Sequence, residues 1–177
     1  MSKRQRLDKL DHKILDLLIK DGRVSRAALG QEVGLSQTPC FERIKKMERR
    51  NVISGCHAAV ELPKVTEVLI IVVAVEILDY TPSRASAFVA YVQDMPEVIG
   101  VQSVLGAFDF YLQVAARNID HYQRIMQRLL SADGFEIDYR SYPVSATHKS
   151  PQNLELLALL NAFEQDEAEA STTERDP

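Results

Sequence analysis

The sequence predicts an α+β chain in two parts, a helical N-terminal segment followed by one that alternates strands with helices. Three observations carry this reading. Apolar residues recur at helical spacing through the first fifty residues, and from Val68 onward β-branched runs alternate with amphipathic stretches. Charge divides at the same place. Residues 1–60 hold thirteen Lys and Arg against seven Asp and Glu, whereas the remainder holds eight basic and eighteen acidic residues. Blocks of opposite sign are expected when one module approaches a polyanion and the other does not. A chain of 177 residues is long enough for each part to bury its own core.

The first helix is expected from Leu7 to Lys20. Leu7, Leu10, Ile14, Leu17 and Leu18 turn inward, with Asp8, Lys9, Lys13, Asp16 and Lys20 facing out and Asp21-Gly22 as the stop. Ser25 has the chemistry of an N-cap for a second helix, Arg26 to Val33, which buries Ala28, Leu29 and Val33. Gly34 follows at once and supplies the left-handed conformation that a tight turn between helices demands. Ser36 is the expected cap of a third helix, Gln37 to Arg50, with Pro39 in the first turn, where a missing N–H costs little. Cys40, Ile44 and Met47 form its inward stripe. Arg43, Lys45, Lys46, Arg49 and Arg50 cover the other sides.

Two short helices joined by a glycine-containing turn, the second of them basic, constitute a helix-turn-helix. The second helix of such a unit projects its N-terminal residues into the major groove of double-stranded DNA. Ser36, Gln37 and Thr38 are small or polar enough to approach base edges there, and Gln can bond adenine bidentately. Arg43 and Lys46 lie one and two turns further on, placed for guanine or phosphate. The candidate DNA-contacting set is Ser25, Ser36, Gln37, Thr38, Pro39, Arg43, Lys46 and Arg50. Ile53 to Glu61 reads as a short strand that could pack as a wing, making residues 1–61 a (winged) helix-turn-helix domain.

The DGR, the VGLS turn, the TPC-x-ER at the start of the third helix and the I-x-G after it follow one another at set spacings over about residues 7–60. In this they resemble the DNA-binding domain of Lrp/AsnC-type (feast/famine) regulators. The resemblance implies a prokaryotic origin and a nucleoid-associated, cytoplasmic home. Cys40 and Cys56, which form no CxxC pair and no metal spacing, agree with a reduced compartment. The basic start MSKRQRLDKLDHK has no apolar run behind it, so a secretory signal is not expected. Val68 to Val75 is far short of the ~20 apolar residues of a membrane span.

Leu62-Pro63 reads as a hinge or linker. Beyond it come a strand from Val68 to Leu78, a helix from Ser83 to about Gln93, a strand from Val98 to Leu105 and, after Gly106-Ala107, a third strand from Phe108 to Ala116. A helix from Ile119 to Leu130 and a strand from Phe135 to Thr147 complete the order βαββαβ, a ferredoxin-like domain over residues 62–150 with both helices on one face of the sheet. Both alternating sets of Val68 to Val75 are apolar, and two helices cover only one of them. The other would leave an apolar patch in water, best buried by a second copy. A homodimer also suits DNA, because it presents two reading heads to half-sites ~34 Å apart or a multiple of that.

The region from about Glu67 to Lys149 resembles the amino-acid-metabolism regulatory domain of the same family, and GAFDFYLQV resembles its G-x-x-D turn. The resemblance implies a small effector, an amino acid or a derivative, bound between dimers near this turn, and assembly of dimers into tetramers or octamers. Carried over by position, the effector residues are Gly106, Ala107, Phe108 and Asp109. Backbone amides of the turn would take a carboxylate, and Asp109 would take an ammonium group or fix the loop. Tyr139 and Ser141 join the set from their place in the last strand. Ala107 departs from the many relatives that carry an acid after the glycine, so the amino group would be held differently or the ligand would not be a simple α-amino acid.

Residues 151–177 are expected to hold a C-terminal helix with Leu154, Leu157, Leu160 and Phe163 on one face, then a disordered acidic end, DEAEASTTERDP. No Gly-rich phosphate loop, HExxH or GxSxG occurs. His12, His57, His121 and His148 are isolated in sequence, and Asp8 and Asp11 sit on the outer face of a helix. No enzyme activity, metal or cofactor is expected. The leading reading is a sequence-specific regulator gated by a metabolite. The alternative is an architectural DNA-binding protein whose C-terminal domain serves assembly alone. A carrier or enzyme built on the ferredoxin-like domain is disfavoured for want of a catalytic dyad.

Overall fold

The computed structural model describes residues 7–150 and 154–173. In chain order the elements are α1 (Lys9–Lys20), α2 (Arg26–Val33), α3 (Gln37–Arg49), α4 (Leu62–Val65), β1 (Leu69–Leu78), α5 (Pro82–Gln93), β2 (Val98–Ser103), β3 (Phe110–Ala116), α6 (Ile119–Leu130), β4 (Glu136–Pro143) and α7 (Leu156–Thr173). They form two compact units. One joins the N-terminal helices to α7, and the other spans Val60–Thr147.

In the first unit α1, α2 and α3 close around Ile14, Leu29, Val33, Cys40 and Met47, with Leu18, Leu35 and Ile44 packed against them. Asp8 stands just outside α1. It caps the helix, accepting from the Asp11 amide while the Asp11 carboxylate accepts from the Asp8 amide. Such a reciprocal box satisfies two backbone donors that have no intrahelical partner. Gly34 ends α2 at φ 72° and ψ 33°, the left-handed geometry that turns the chain into α3. Gly30 is required for a different reason. A Cβ there would lie 2.7 Å from the Leu35 carbonyl oxygen, so the turn can fold onto α2 only over a bare Cα.

The C-terminal helix belongs to this unit. Its N-terminal amide at Leu157 donates to Asp16 Oδ1 at 3.4 Å, and Lys20 Nζ holds the other oxygen at 2.7 Å. Asp16 is therefore buried, 5% exposed, not turned to solvent as the spacing predicted. Its carboxyl is held below the usual range by the Lys20 ammonium, with help from the Leu157 amide and against the cost of burial. The helix runs Leu156–Thr173, further than the apolar stripe alone predicts; Ala and Glu in EAEA are strong helix formers. Residues 174–177 lie outside the described residues.

In the second unit four antiparallel strands lie in the order β2-β3-β1-β4. α5 and α6 cover one face, where Phe88, Val92, Ile125, Met126 and Leu129 meet Ile71, Val73, Val75, Ile77, Phe110, Leu112 and Val114. Phe88 anchors that layer, tilted against Phe110 at 5.0 Å and edge-on to Phe135 at 5.2 Å between ring centroids. The βαββαβ order and the one-sided helices are those of a ferredoxin-like domain. The opposite face carries Ile70, Val72 and Ala74, with Tyr111 and Gln113 beside them on β3 and Arg140 and Tyr142 on β4.

Two connections differ from the sequence reading. Ile53 to Glu61 is not a strand, and no wing forms. The segment is exposed beyond Ile53 and has no ladder partner among the described residues, and an isolated strand leaves its backbone groups unpaired. Leu62-Pro63 is not an open hinge but the start of the single helical turn α4, with Pro63 in its first positions. The last strand also stops at Pro143, four residues before the expected Thr147.

Candidate functional site

The candidate DNA-contacting residues gather around α2 and α3. Ser25 caps α2, its Oγ accepting from the Ala28 amide at 3.1 Å. Ser36 holds the corresponding place before α3, in extended backbone, but its hydroxyl bonds no helix amide. The expected cap is thus absent, and Ser36, Gln37, Thr38 and Pro39 all stand exposed at the positive end of the α3 dipole. Lys46 and Arg50 are exposed further along.

Arg43 is placed differently. Its Nη1 lies 2.6 Å from Asp8 Oδ2 and 2.7 Å from Asp11 Oδ1, so the guanidinium is tied to the capping box of α1. Asp8 and Asp11, read from sequence as outward-facing and unrelated to any site, are its partners. Hydrogen bonds to Asp11 and Asp8 raise the Arg43 pKa further. The Asp8 carboxyl is held low, first by the Asp11 amide and then by Arg43.

The second candidate site is the turn between β2 and β3. The Val104 amide donates to the Asp109 carbonyl at 2.9 Å, closing the loop. The Asp109 amide donates to the Val75 carbonyl at 2.9 Å, and the Ile77 amide donates to Asp109 Oδ2 at 2.7 Å. Asp109 therefore fastens the loop to β1 and commits one carboxylate oxygen to doing so. Gly106, at φ 151°, sits in backbone that favours glycine, with open space where a Cβ would be. Leu105 is fully exposed beside it.

The structure brings Phe108 and Asp109 together at this turn but does not bring Tyr139 or Ser141 to the same face. Tyr139 packs against the core beneath the helices, and Ser141 Oγ is hydrogen-bonded to the Tyr122 hydroxyl of α6. The side chain that reaches Phe108 is Arg140, whose guanidinium carbon lies 5.6 Å from the ring centroid, with Tyr111 on the other strand at 6.4 Å. The period-two alternation of a strand separates Arg140 from both neighbours.

Residues 7–48 match the AsnC-type helix-turn-helix domain, and residues 70–154 match the Lrp/AsnC ligand binding domain. The chain belongs to the Lrp/AsnC family of transcriptional regulators. Among its relatives is the transcriptional regulatory protein DoeX of Halomonas elongata, 33% identical over 146 residues, which cover 82% of this chain and 92% of that protein. The leucine-responsive regulatory protein of Salmonella typhimurium is 33% identical over 149 residues, covering 84% and 90%. In structure the chain is similar to a transcriptional regulator of Neisseria meningitidis in complex with L-Met, with a TM-score of 0.78 and 29% identity over 87% of this chain and 99% of that one. Helix-turn-helix regulators of this family bind DNA, and α2 and α3 are the helix-turn-helix of this Lrp/AsnC member.

Both Lrp/AsnC domain matches end before α7, and each relative is covered almost whole while this chain is not. Three further residues had no assigned role in the sequence: Arg140, and on the reading head Arg26 and Phe41. A strand's alternation points to Arg140 once the face of Phe108 is known. Nothing in the local pattern of α2 or α3 points to the pairing of Arg26 with Phe41, which lie on different helices.

Proposed function

We propose that this regulator binds specific DNA sites as a homodimer or an assembly of dimers and that an amino acid or a close derivative, held at the Gly106–Asp109 turn, sets its affinity. The observation that carries the reading is the construction of that turn. Its base is fastened to β1 through Asp109 while Leu105, Gly106 and Ala107 stand out in solvent. A loop tied at its base and exposed at its tip is suited to closing over a small ligand against a second dimer. Arg140, on the same face as Phe108, offers a guanidinium to the ligand's carboxylate. The leucine-responsive name of one relative and the L-Met complex of a structural neighbour support an amino-acid ligand.

The open sheet face supports the dimer. Ile70 and Val72 are half-buried there and Ala74 is covered, while Tyr142 beside Val72 and Tyr111 beside Ala74 are both more than one-third exposed. A second copy burying this face, at ~800 Å² per partner, would form an interface of normal size. The reading heads would be Ser36, Gln37 and Thr38 at base edges, with Ser25, Lys46 and Arg50 on phosphates.

Calorimetric titration of the protein amino acids into the full chain tests the effector site. One chemical class should bind, and Arg140→Ala should weaken it ~10-fold or more, the loss of a charge-assisted hydrogen bond. Binding left intact in both Arg140→Ala and Asp109→Ala would remove this turn from the site, and no binding by any amino acid would remove the effector class.

A further inference from the structure

Arg26 begins α2, and its guanidinium carbon lies 4.0 Å from the centroid of the Phe41 ring on α3. Lys45, one turn beyond Phe41 on the same helix, brings Nζ to 4.5 Å of that centroid. The two charges are therefore held within about 8.5 Å of each other, the sum of those distances. Among the described residues no carboxylate pairs with either. Gathering like charges at one ring costs energy, and a cation in the first turn of α2 also opposes the helix dipole. Neither feature serves the stability of the helices. Both become favourable when an anion arrives, because the N-terminus of α2 and two ordered cations then face it together. A ring whose face attracts cations also removes much of the freedom that long side chains lose on binding.

We infer that Phe41 is a positioning residue for DNA binding: its ring holds Arg26 and Lys45 in place to grip the phosphate backbone beside the groove that α3 reads. The inference rests on the DNA-binding reading and adds residues to it. Phe41 touches no base. It acts by ordering two cations that would otherwise sweep through solvent, and so makes the reading head's phosphate contact a preformed one.

The test is fluorescence anisotropy of the full chain on a labelled duplex from the region upstream of its own gene and on an unrelated duplex. Each is titrated at several salt concentrations between about 50 and 200 mM. Phe41→Leu keeps an apolar side chain of similar size and removes the ring. It should weaken binding to both duplexes about 3–10-fold and flatten the slope of log affinity against log salt by about one. Arg26→Ala should do the same, and the double variant should lose little more than either alone. Phe41→Trp, whose face binds cations at least as well, should restore both affinity and slope. Circular dichroism melting of each variant separates loss of fold from loss of contact. An unchanged affinity in Phe41→Leu, or a loss with the salt slope unaltered, overturns the inference, since packing alone does not change the number of neutralised phosphates. Failure of the wild-type protein to bind either duplex would instead overturn the DNA-binding reading beneath it.

Discussion

Replacing Arg43 with alanine should loosen the reading head itself. Arg43 and its two carboxylates differ in exposure: the side chains of Arg43, Asp8 and Asp11 are 31%, 53% and 14% exposed. A hydrogen bond to a charged group contributes ~1.5–3 kcal/mol, but an ion pair in water contributes at most about 1 kcal/mol. Taking the sheltered Asp11 arm at the low end of the first range and the Asp8 arm at a few tenths gives roughly 2 kcal/mol. For a unit of this size that is a fall of about 10 °C in its midpoint. Circular dichroism melting of the full chain measures it, with hydrogen exchange on α1 and α3 assigning the transition. The Arg43→Ala/Asp11→Asn double variant should lose less than the sum of the two single changes. Because the folded-state pKa of Asp8 is depressed, its share is present above the unfolded value near 3.9 and is lost as pH falls through the folded value. A melting point unchanged in Arg43→Ala, together with a flatter salt slope for DNA binding, would refute this reasoning and return Arg43 to the DNA-contacting set.

Asp16→Ala removes the cap of α7 and the partner of Lys20, and should release that helix at a cost of ~1–2 kcal/mol, read as faster proteolysis after residue 154. The same release should follow acidification of the wild type below about pH 4. The depressed Asp16 pKa places its stabilisation above the unfolded value, and the contribution is lost as pH drops through the folded one. Gly30→Ala should destabilise the reading head by more than Gly34→Ala. The first drives a Cβ into the Leu35 carbonyl, whereas the second meets open space and costs only the ~1 kcal/mol of left-handed backbone; denaturant melts order the two. Val72→Asp puts a charge at the centre of the open sheet face and should shift the protein to monomers in sedimentation, with folding preserved.

Local pattern was enough for most of the fold. The apolar spacing of Ile14, Leu29, Cys40 and Met47, the glycine turn at Gly34 and the double-faced apolar run of β1 each state their own structure. What the sequence did not reveal was tertiary. Asp16 looks like any outward-facing residue until α7 arrives from 141 positions away, and Arg43 looks like a free cation until the capping box of α1 claims it at separations of 32 and 35. Ile53 to Glu61 reads locally as a short strand, yet a local reading says nothing of whether a ladder partner exists. The turn between β2 and β3 was legible through its glycine and aspartate. Placing Tyr139 and Ser141 with it required knowing which face of β4 meets Phe108, and a one-residue shift decides that.

The most direct test of the account is equilibrium binding to the DNA upstream of the protein's own gene, with unrelated competitor DNA, in the presence and absence of each amino acid. Selective binding is expected, shifted roughly 5–150-fold by one chemical class of amino acid, the range of typical allosteric coupling. Equal affinity for every duplex, unmoved by any of these compounds, would contradict it and leave an architectural DNA-binding protein in its place.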